Sequence, residues 1–195
     1  IDRSLVGSEM CIRDRTRGQP SKEQLKLSES MDQILKNKFN FDGEDLRNYG
    51  LIKGLDSTRK LGAILLGINY KNVIANGTSS LNLTSMVIQA LFFKGINGEA
   101  WKHYKKISFL CPVPGYDRHF SLLEMMGINM INVPLKGDGP DMDYAEKLVK
   151  KDKSIKGIIC VPKHSNPTGE TYSLKVLERL CLLYTSDAAD EVLGV

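Results

Sequence analysis

No run of about 20 apolar residues exists in the chain, so nothing in it reads as a membrane span. No basic start followed by an apolar stretch opens it as a secretory leader would. Cysteine is scarce: Cys11, Cys111, Cys160 and Cys181 are the four, with no close pair among them. That leaves no Cys-x-x-Cys unit for zinc, and His103, His119 and His164 lack Cys or carboxylate at metal spacing. Cys111 and Cys160 sit in apolar, strand-like runs and read as buried thiols of a reducing compartment, so the cytoplasm is the expected location. Excess charge is also small. The 27 basic and 23 acidic residues leave a net +4, too balanced to argue for a nucleic-acid partner. The Lys-rich runs at 102–106 and 147–156 read instead as solvated helix faces. What is present is ordinary globular composition, 42% hydrophobic and 26% charged over 195 residues, enough for one domain or one and a fragment.

Strand and helix signals alternate along the middle of the chain. Ser21 and Gln24 have the spacing of a capping box ahead of a short helix. Residues 56–66 carry Arg59, Leu61, Ile64 and Leu65 on a mostly 3.6-residue period that stops at Gly67. A strand is expected at 73–75, then a largely apolar helix over 81–93 ending near Gly95. Further strands at 107–111, 128–133 and 157–161 alternate with helices at 116–126, at 142–150 behind Asp141, and from Ser173 onward. This order predicts an α/β fold, a mostly parallel sheet with helices on both faces.

Two turns of small residues fall where a strand should end and a helix begin. They are Asn-Gly-Thr-Ser-Ser at 76–80 and Ser-Asn-Pro-Thr-Gly at 165–169. In an open α/β sheet such places gather at one edge, where ligands bind. Gly77 lets the backbone turn closely, while Thr78, Ser79 and Ser80 offer hydroxyls beside the first amides of a helix, a donor set suited to phosphate. The same residues would equally serve as plain helix caps. The turn is neither a Walker A loop nor a GxGxxG dinucleotide turn. A third turn, Pro-Val-Pro-Gly-Tyr-Asp at 112–117, leaves Tyr116 at the sheet edge, either packed as core or free to lie on a planar heterocycle. Asn166 can donate its amide to a ring oxygen or close an Asx turn before Pro167.

From about residue 16 to 180 the chain resembles the N-terminal half of a fold-type I, pyridoxal-phosphate-dependent aminotransferase of class I/II. Within that class it is similar to the aspartate aminotransferase subgroup called type Ic. Five motifs in family order carry the resemblance: 16–21 (Thr-Arg-Gly-Gln-Pro-Ser), 49–55 (Tyr-Gly-Leu-Ile-Lys-Gly-Leu), 76–83, 112–120 and 165–169. It implies that Gly77, Thr78, Ser79 and Ser80 hold the cofactor phosphate and that Asn166 bonds the ring's 3′ oxygen. Tyr116 matches the aromatic that stacks on the pyridine ring, with Val113 as the alternative counterpart. Tyr49 matches a tyrosine that reaches across a homodimer to the partner's cofactor phosphate, and Gly18 a glycine beside the substrate α-carboxylate. The implied reaction moves an amino group between an amino acid, aspartate favoured, and 2-oxoglutarate. An aminotransferase-like effector domain of a transcriptional regulator, a pyridoxal-phosphate-dependent lyase, an alanine-type transferase and a non-catalytic α/β binding domain share these features.

In that family an aspartate at the ring nitrogen, the Schiff-base lysine and a carboxylate-gripping arginine all follow the Asn-Pro-Thr-Gly turn. Lys163 lies before that turn and Lys175 just after it, and neither matches the Schiff-base lysine, so no catalytic residue is assigned and the chain alone is expected to be inactive. Both ends resemble translated sequencing-adapter DNA, the second breaking into a helix in progress; frayed native termini are the alternative. The expected organisation is a non-native segment at 1–15, an N-terminal arm and small-domain portion at 16–55, a partial cofactor-binding large domain at 56–180, and a non-native segment at 181–195.

Overall fold

The computed structural model describes residues 21–192 apart from 33, 35, 37 and 96–98, and for 184–192 only the helix to which they belong. Two compact units emerge, one of residues 16–84 and one built on residues 85–195. Each is taken by itself.

In the first unit, helix α1 (Lys22–Lys26) opens on the expected capping box, with the Ser21 N–H donating to Gln24 Oε1 at 2.7 Å and the Gln24 N–H to Ser21 Oγ at 3.3 Å. Strands β1 (Asn40–Phe41) and β2 (Glu44–Asp45) form a small antiparallel hairpin. Its two-residue turn is Asp42-Gly43, both at positive φ (53° and 82°), as a tight Asp-Gly hairpin requires. Helix α2 (Asp56–Leu66) has the expected bounds and stops at Gly67. Its N-cap, Leu55, has no side chain to offer the orphan amides. Asp42 supplies the acceptor instead, taking the Ser57 N–H at 2.8 Å, so the hairpin caps the helix from 15 residues away. Those bonds from Ser57 hold the Asp42 carboxyl below the usual carboxylate range.

The expected strand at 73–75 does not form. Val73 is extended, at φ −102° and ψ 132°, but beyond a local bond from its N–H to the Tyr70 carbonyl (3.0 Å) the segment makes, among the described residues, one backbone bond, from the Ala75 N–H to the Lys53 carbonyl at 3.0 Å. A three-residue apolar run becomes a strand only where a neighbour offers it a ladder. Helix α3 (Ser80–Phe93) follows, and the division between the units falls inside it.

The second unit is a three-stranded parallel sheet, β3 (Ser108–Val113), β4 (Asn129–Pro134) and β5 (Ile155–Ile158), in the order β4-β3-β5. Helix α4 (Asp117–Met125) connects β3 to β4, and α5 (Met142–Lys151) connects β4 to β5. The chain therefore moves to one side of β3 and then crosses back to the other. With right-handed crossovers, this reversal places α4 and α5 on opposite faces. The core agrees: Leu110 packs with Met142, Ala145 and Val176, while Phe109, pointing the other way, meets Trp101 edge-on at 5.7 Å. Helix α6 (Leu174–Val192) packs beside α5, and Arg179 joins them through Glu146 (2.8 Å) and Asp143 (2.6 Å). At the starting ends of the strands, fully buried Ser108 shares its hydroxyl with Ser154 (2.8 Å) and accepts from Asn129 Nδ2 (3.2 Å).

Three expectations shift. β5 ends at Ile158, not 161, because the ladder reaches the Ile159 N–H to Leu110 carbonyl bond (3.1 Å) and then meets Pro112, which has no N–H to continue it. Cys160 consequently lies just beyond the strand, half-buried, while Cys111 is buried within β3. Helix α6 passes through 181 without a break, since the segment to Val192 contains no Pro or Gly and is rich in Leu and Ala. The 102–106 run begins in a 3₁₀ turn (Trp101–His103) instead of a helix face. Among the described residues no helix is long and apolar enough to cross a membrane.

Candidate functional site at the C-terminal sheet edge

Because α4 and α6 leave β3 and β5 toward opposite faces, a crevice opens between the loops that follow these adjacent strands. Such a topological switch point is where open α/β sheets bind ligands. Tyr116 stands on the first loop, at the N-cap of α4, and its side chain is 37% exposed. The second loop places buried Ser165, the residue before Asn166, against the same small hollow, together with His119, Phe120, Cys160 and Tyr172. Tyr116 and the Asn166 turn are thus brought together, as the two motifs suggested.

The hollow itself is small and electrically quiet. Its space of about 10 Å³ is that of a single water, so the hollow itself encloses no larger ligand. His119 holds the Tyr116 ring edge-on at 5.1 Å, and burial pushes its imidazole below the ordinary histidine value, toward the neutral form. Burial likewise pushes the Cys160 thiol up to about 11 and the Tyr172 hydroxyl upward. Neutral walls behind an exposed aromatic ring suit a flat, partly apolar ligand face. Asn166 is exposed, and among the described residues its side-chain amide has no hydrogen-bond partner. Its turn is closed by backbone, with the Ser165 N–H donating to the Glu170 carbonyl at 2.8 Å and the Tyr172 N–H to the Pro162 carbonyl at 2.8 Å.

The 76–80 turn belongs to the first unit. Gly77 takes φ 61°, the left-handed region the turn requires. Ser79 caps α3 by accepting the Asn82 N–H at 3.3 Å. Thr78 and Ser80 remain exposed, and their hydroxyls make no bond among the described residues. No acidic residue occupies the first turn of α3. Free hydroxyls, a helix N-terminus and no nearby carboxylate in that turn fit an anion such as a phosphate. Tyr49 is 99% exposed and packs on nothing in its own unit. Gly18 lies outside the described residues.

Arg59, on the periodic face of α2, supports this turn. Arg59, only 9% exposed, donates from Nε to the Val73 carbonyl at 2.9 Å, from Nη2 to the Tyr70 carbonyl at 3.2 Å and from Nη1 to Asp56 at 2.8 Å. It thereby pins to α2 the segment that leads to the turn. A charged residue inside an otherwise apolar stripe was the available signal.

An exposed aromatic and a free amide at a switch point, in a parallel α/β sheet, define a ligand-binding α/β domain. Comparison with known proteins makes this specific: the chain belongs to the aspartate amino-transferase family, whose model matches residues 9–193. The fold is that of the large domain of fold-type I pyridoxal-phosphate transferases, and the family is one of pyridoxal-phosphate-dependent transaminases. A Corynebacterium glutamicum protein named aspartate aminotransferase is 43% identical over 178 residues, covering 89% of this chain and 41% of that protein. A Mycolicibacterium smegmatis protein named as an aminotransferase is 43% identical over 179 residues, covering 89% of this chain and 42% of its own length. The crystal structure of an aspartate transaminase from Corynebacterium glutamicum superposes with a TM-score of 0.78 at 43% identity, over 86% of this chain and 40% of that one. The chain spans about two fifths of the length of the relatives it matches.

Proposed function

We propose that the protein carrying this chain is a pyridoxal-phosphate-dependent transaminase that moves an amino group between aspartate and 2-oxoglutarate. The observation that carries this reading is that the turn bearing the unpartnered Asn166 amide shares one hollow, through Ser165, with the exposed Tyr116 at the switch point, in a chain of this family. When bound, the cofactor supplies an electron-withdrawing ring that stabilises negative charge at the substrate's α-carbon. In this reading the hydroxyls of Thr78, Ser79 and Ser80, with the close turn at Gly77, hold the phosphate. Tyr116 covers the ring face and excludes water from it. Asn166 donates its amide to the ring's 3′ oxygen. Tyr49, free in its own unit, reaches the cofactor phosphate of a second copy, so the working form is a homodimer. Gly18 lies beside the substrate carboxylate. Aspartate is favoured because the Corynebacterium glutamicum relative bears that name.

Neither Lys163 nor Lys175 stands where the family places its cofactor-bearing lysine, so the 195-residue chain by itself transfers no amino group in this reading. The test uses the whole protein. It should acquire the visible absorbance of bound pyridoxal phosphate and convert aspartate plus 2-oxoglutarate, followed by coupled reduction of the oxaloacetate formed. Asn166→Ala and Tyr116→Ala should each weaken cofactor binding by about tenfold, the worth of one buried polar or ring contact. Cofactor binding with no transfer from any amino acid would overturn the activity. Absence of binding would overturn the site as well.

A further inference from the structure

We infer that Glu170 is a positioning residue for Asn166, clasping the turn that carries it to the loop between β4 and α5. The Glu170 carboxylate accepts the Gly139 N–H at 2.7 Å, across 31 residues of sequence. The same residue's backbone carbonyl accepts the Ser165 N–H at 2.8 Å, immediately before Asn166. One residue therefore grips both the root of the Asn166 turn and a loop rooted in a different crossover. Among the described residues nothing bonds the Asn166 amide, so its direction is set by the backbone on which it stands.

The far side of the clasp is itself rigid. Gly139 sits at φ 130°, where a side chain is strained, and an added Cβ would come within 2.7 Å of Val176 Cγ1. It closes a tight hairpin in which the Lys136 N–H donates to the Gly139 carbonyl at 2.8 Å. Its own N–H points out of that hairpin, and the Glu170 carboxylate is the acceptor that satisfies it. A second fastening lies three residues on: the Ser173 N–H donates to the Asp138 carbonyl at 2.8 Å and its hydroxyl to Asp138 Oδ2 at 3.1 Å. Without the Glu170 carboxylate the turn keeps that second fastening but pivots about it, and the amide loses its aim.

This inference rests on the reading of Asn166 as donor to the ring oxygen, and the experiment separates the two. In the whole protein loaded with pyridoxal phosphate, the pH midpoint of the bound cofactor's visible absorbance reports the hydrogen bond to that oxygen. Glu170→Ala should shift the midpoint in the same direction as Asn166→Ala and weaken cofactor affinity about tenfold, as loss of a charge-assisted hydrogen bond does. Glu170→Gln, which keeps an Oε1 acceptor, should stay within about twofold of the parent affinity. The double variant should show the midpoint of Asn166→Ala alone, because residues acting through one another are not additive. A parent-like midpoint in Glu170→Ala while Asn166→Ala is shifted overturns the clasp. So does an equal Glu170→Ala shift in both backgrounds. A parent-like midpoint in Asn166→Ala overturns the ring-oxygen reading, and this inference with it. Should Glu170→Ala fail to fold, Glu170→Asp against Glu170→Gln decides on the same readout: a shortened acceptor that shifts nothing overturns the clasp.

Discussion

Replacing Arg59 with Met keeps the packed stem and removes the guanidinium. Three contacts go at once: the 2.9 Å bond to the Val73 carbonyl, the 3.2 Å bond to the Tyr70 carbonyl and the 2.8 Å pair with Asp56. Asp56 is 54% exposed, so the ion pair is worth less than about 1 kcal/mol. The bond to Val73 is buried and charge-assisted, worth about 1.5–3 kcal/mol, and the longer one to Tyr70 falls at the low end of that scale. The expected loss for Arg59→Met is therefore about 3–5 kcal/mol. Arg59→Lys keeps the charge but cannot fork to three acceptors, and should cost about half as much. Amide hydrogen exchange on the whole protein is the suitable assay, because it reports the stability of this segment without requiring that everything unfold together. The Val73 and Ala75 N–H groups should exchange faster by the corresponding factor. Pyridoxal phosphate affinity should fall alongside, since the segment ends in the 76–80 turn. Parent-like exchange at Ala75 in Arg59→Met would refute the idea that the guanidinium, and not its stem, holds this segment.

Further outcomes are expected from the second unit and from the gene. Gly139→Ala combines a positive φ with a 2.7 Å approach to Val176 and should destabilise by about 1–3 kcal/mol, read as a lower melting temperature; an unchanged melt would count against the hairpin geometry. His119 has its pKa lowered by burial, so as pH falls through the ordinary value of 6.5 the unfolded chain takes the proton first. Stability held above that pH is then lost progressively toward the lower folded value, and His119→Gln should flatten the slope as pH falls below 6.5. Equal slopes in the two proteins would show that His119 does not titrate this way. Reading the source gene through the junctions near 15 and 180 should reveal native sequence continuing to an aspartate, a lysine and an arginine. A gene that reads unchanged through both junctions would instead make both ends native.

Local signals were readable wherever a single residue type dictates its own conformation. Gly67 ended α2 and Asp141 opened α5 where expected, because a left-handed stop and an N-cap are properties of one position. The Asp42-Gly43 hairpin carried the right dipeptide, but its two-residue strands show no alternation to frame it. The strand at 73–75 failed for the opposite reason, an apolar run with no ladder beside it. What sequence could not convey was pairing at a distance: Asp42 capping α2, Arg59 reaching Val73, and Glu170 meeting Gly139. The residue types at the candidate site were recognisable from their motifs. That Tyr116 and the Asn166 turn share one hollow depends on strand order, which no short motif encodes.

The buried hydroxyl of Ser108 lies at the opposite end of the sheet from that hollow, yet it governs the hollow's geometry. Held by Ser154 and Asn129, it ties together the beginnings of all three strands. A slip of one residue in β5 would take Ser154 from that hydroxyl, turn Ile155 and Ile158 to the wrong face, and carry the Asn166 turn about 3.3 Å along the strand relative to Tyr116. The stagger between the two loops is thus written at the foot of the sheet. A change at Ser108 would shift the one loop against the other without touching either.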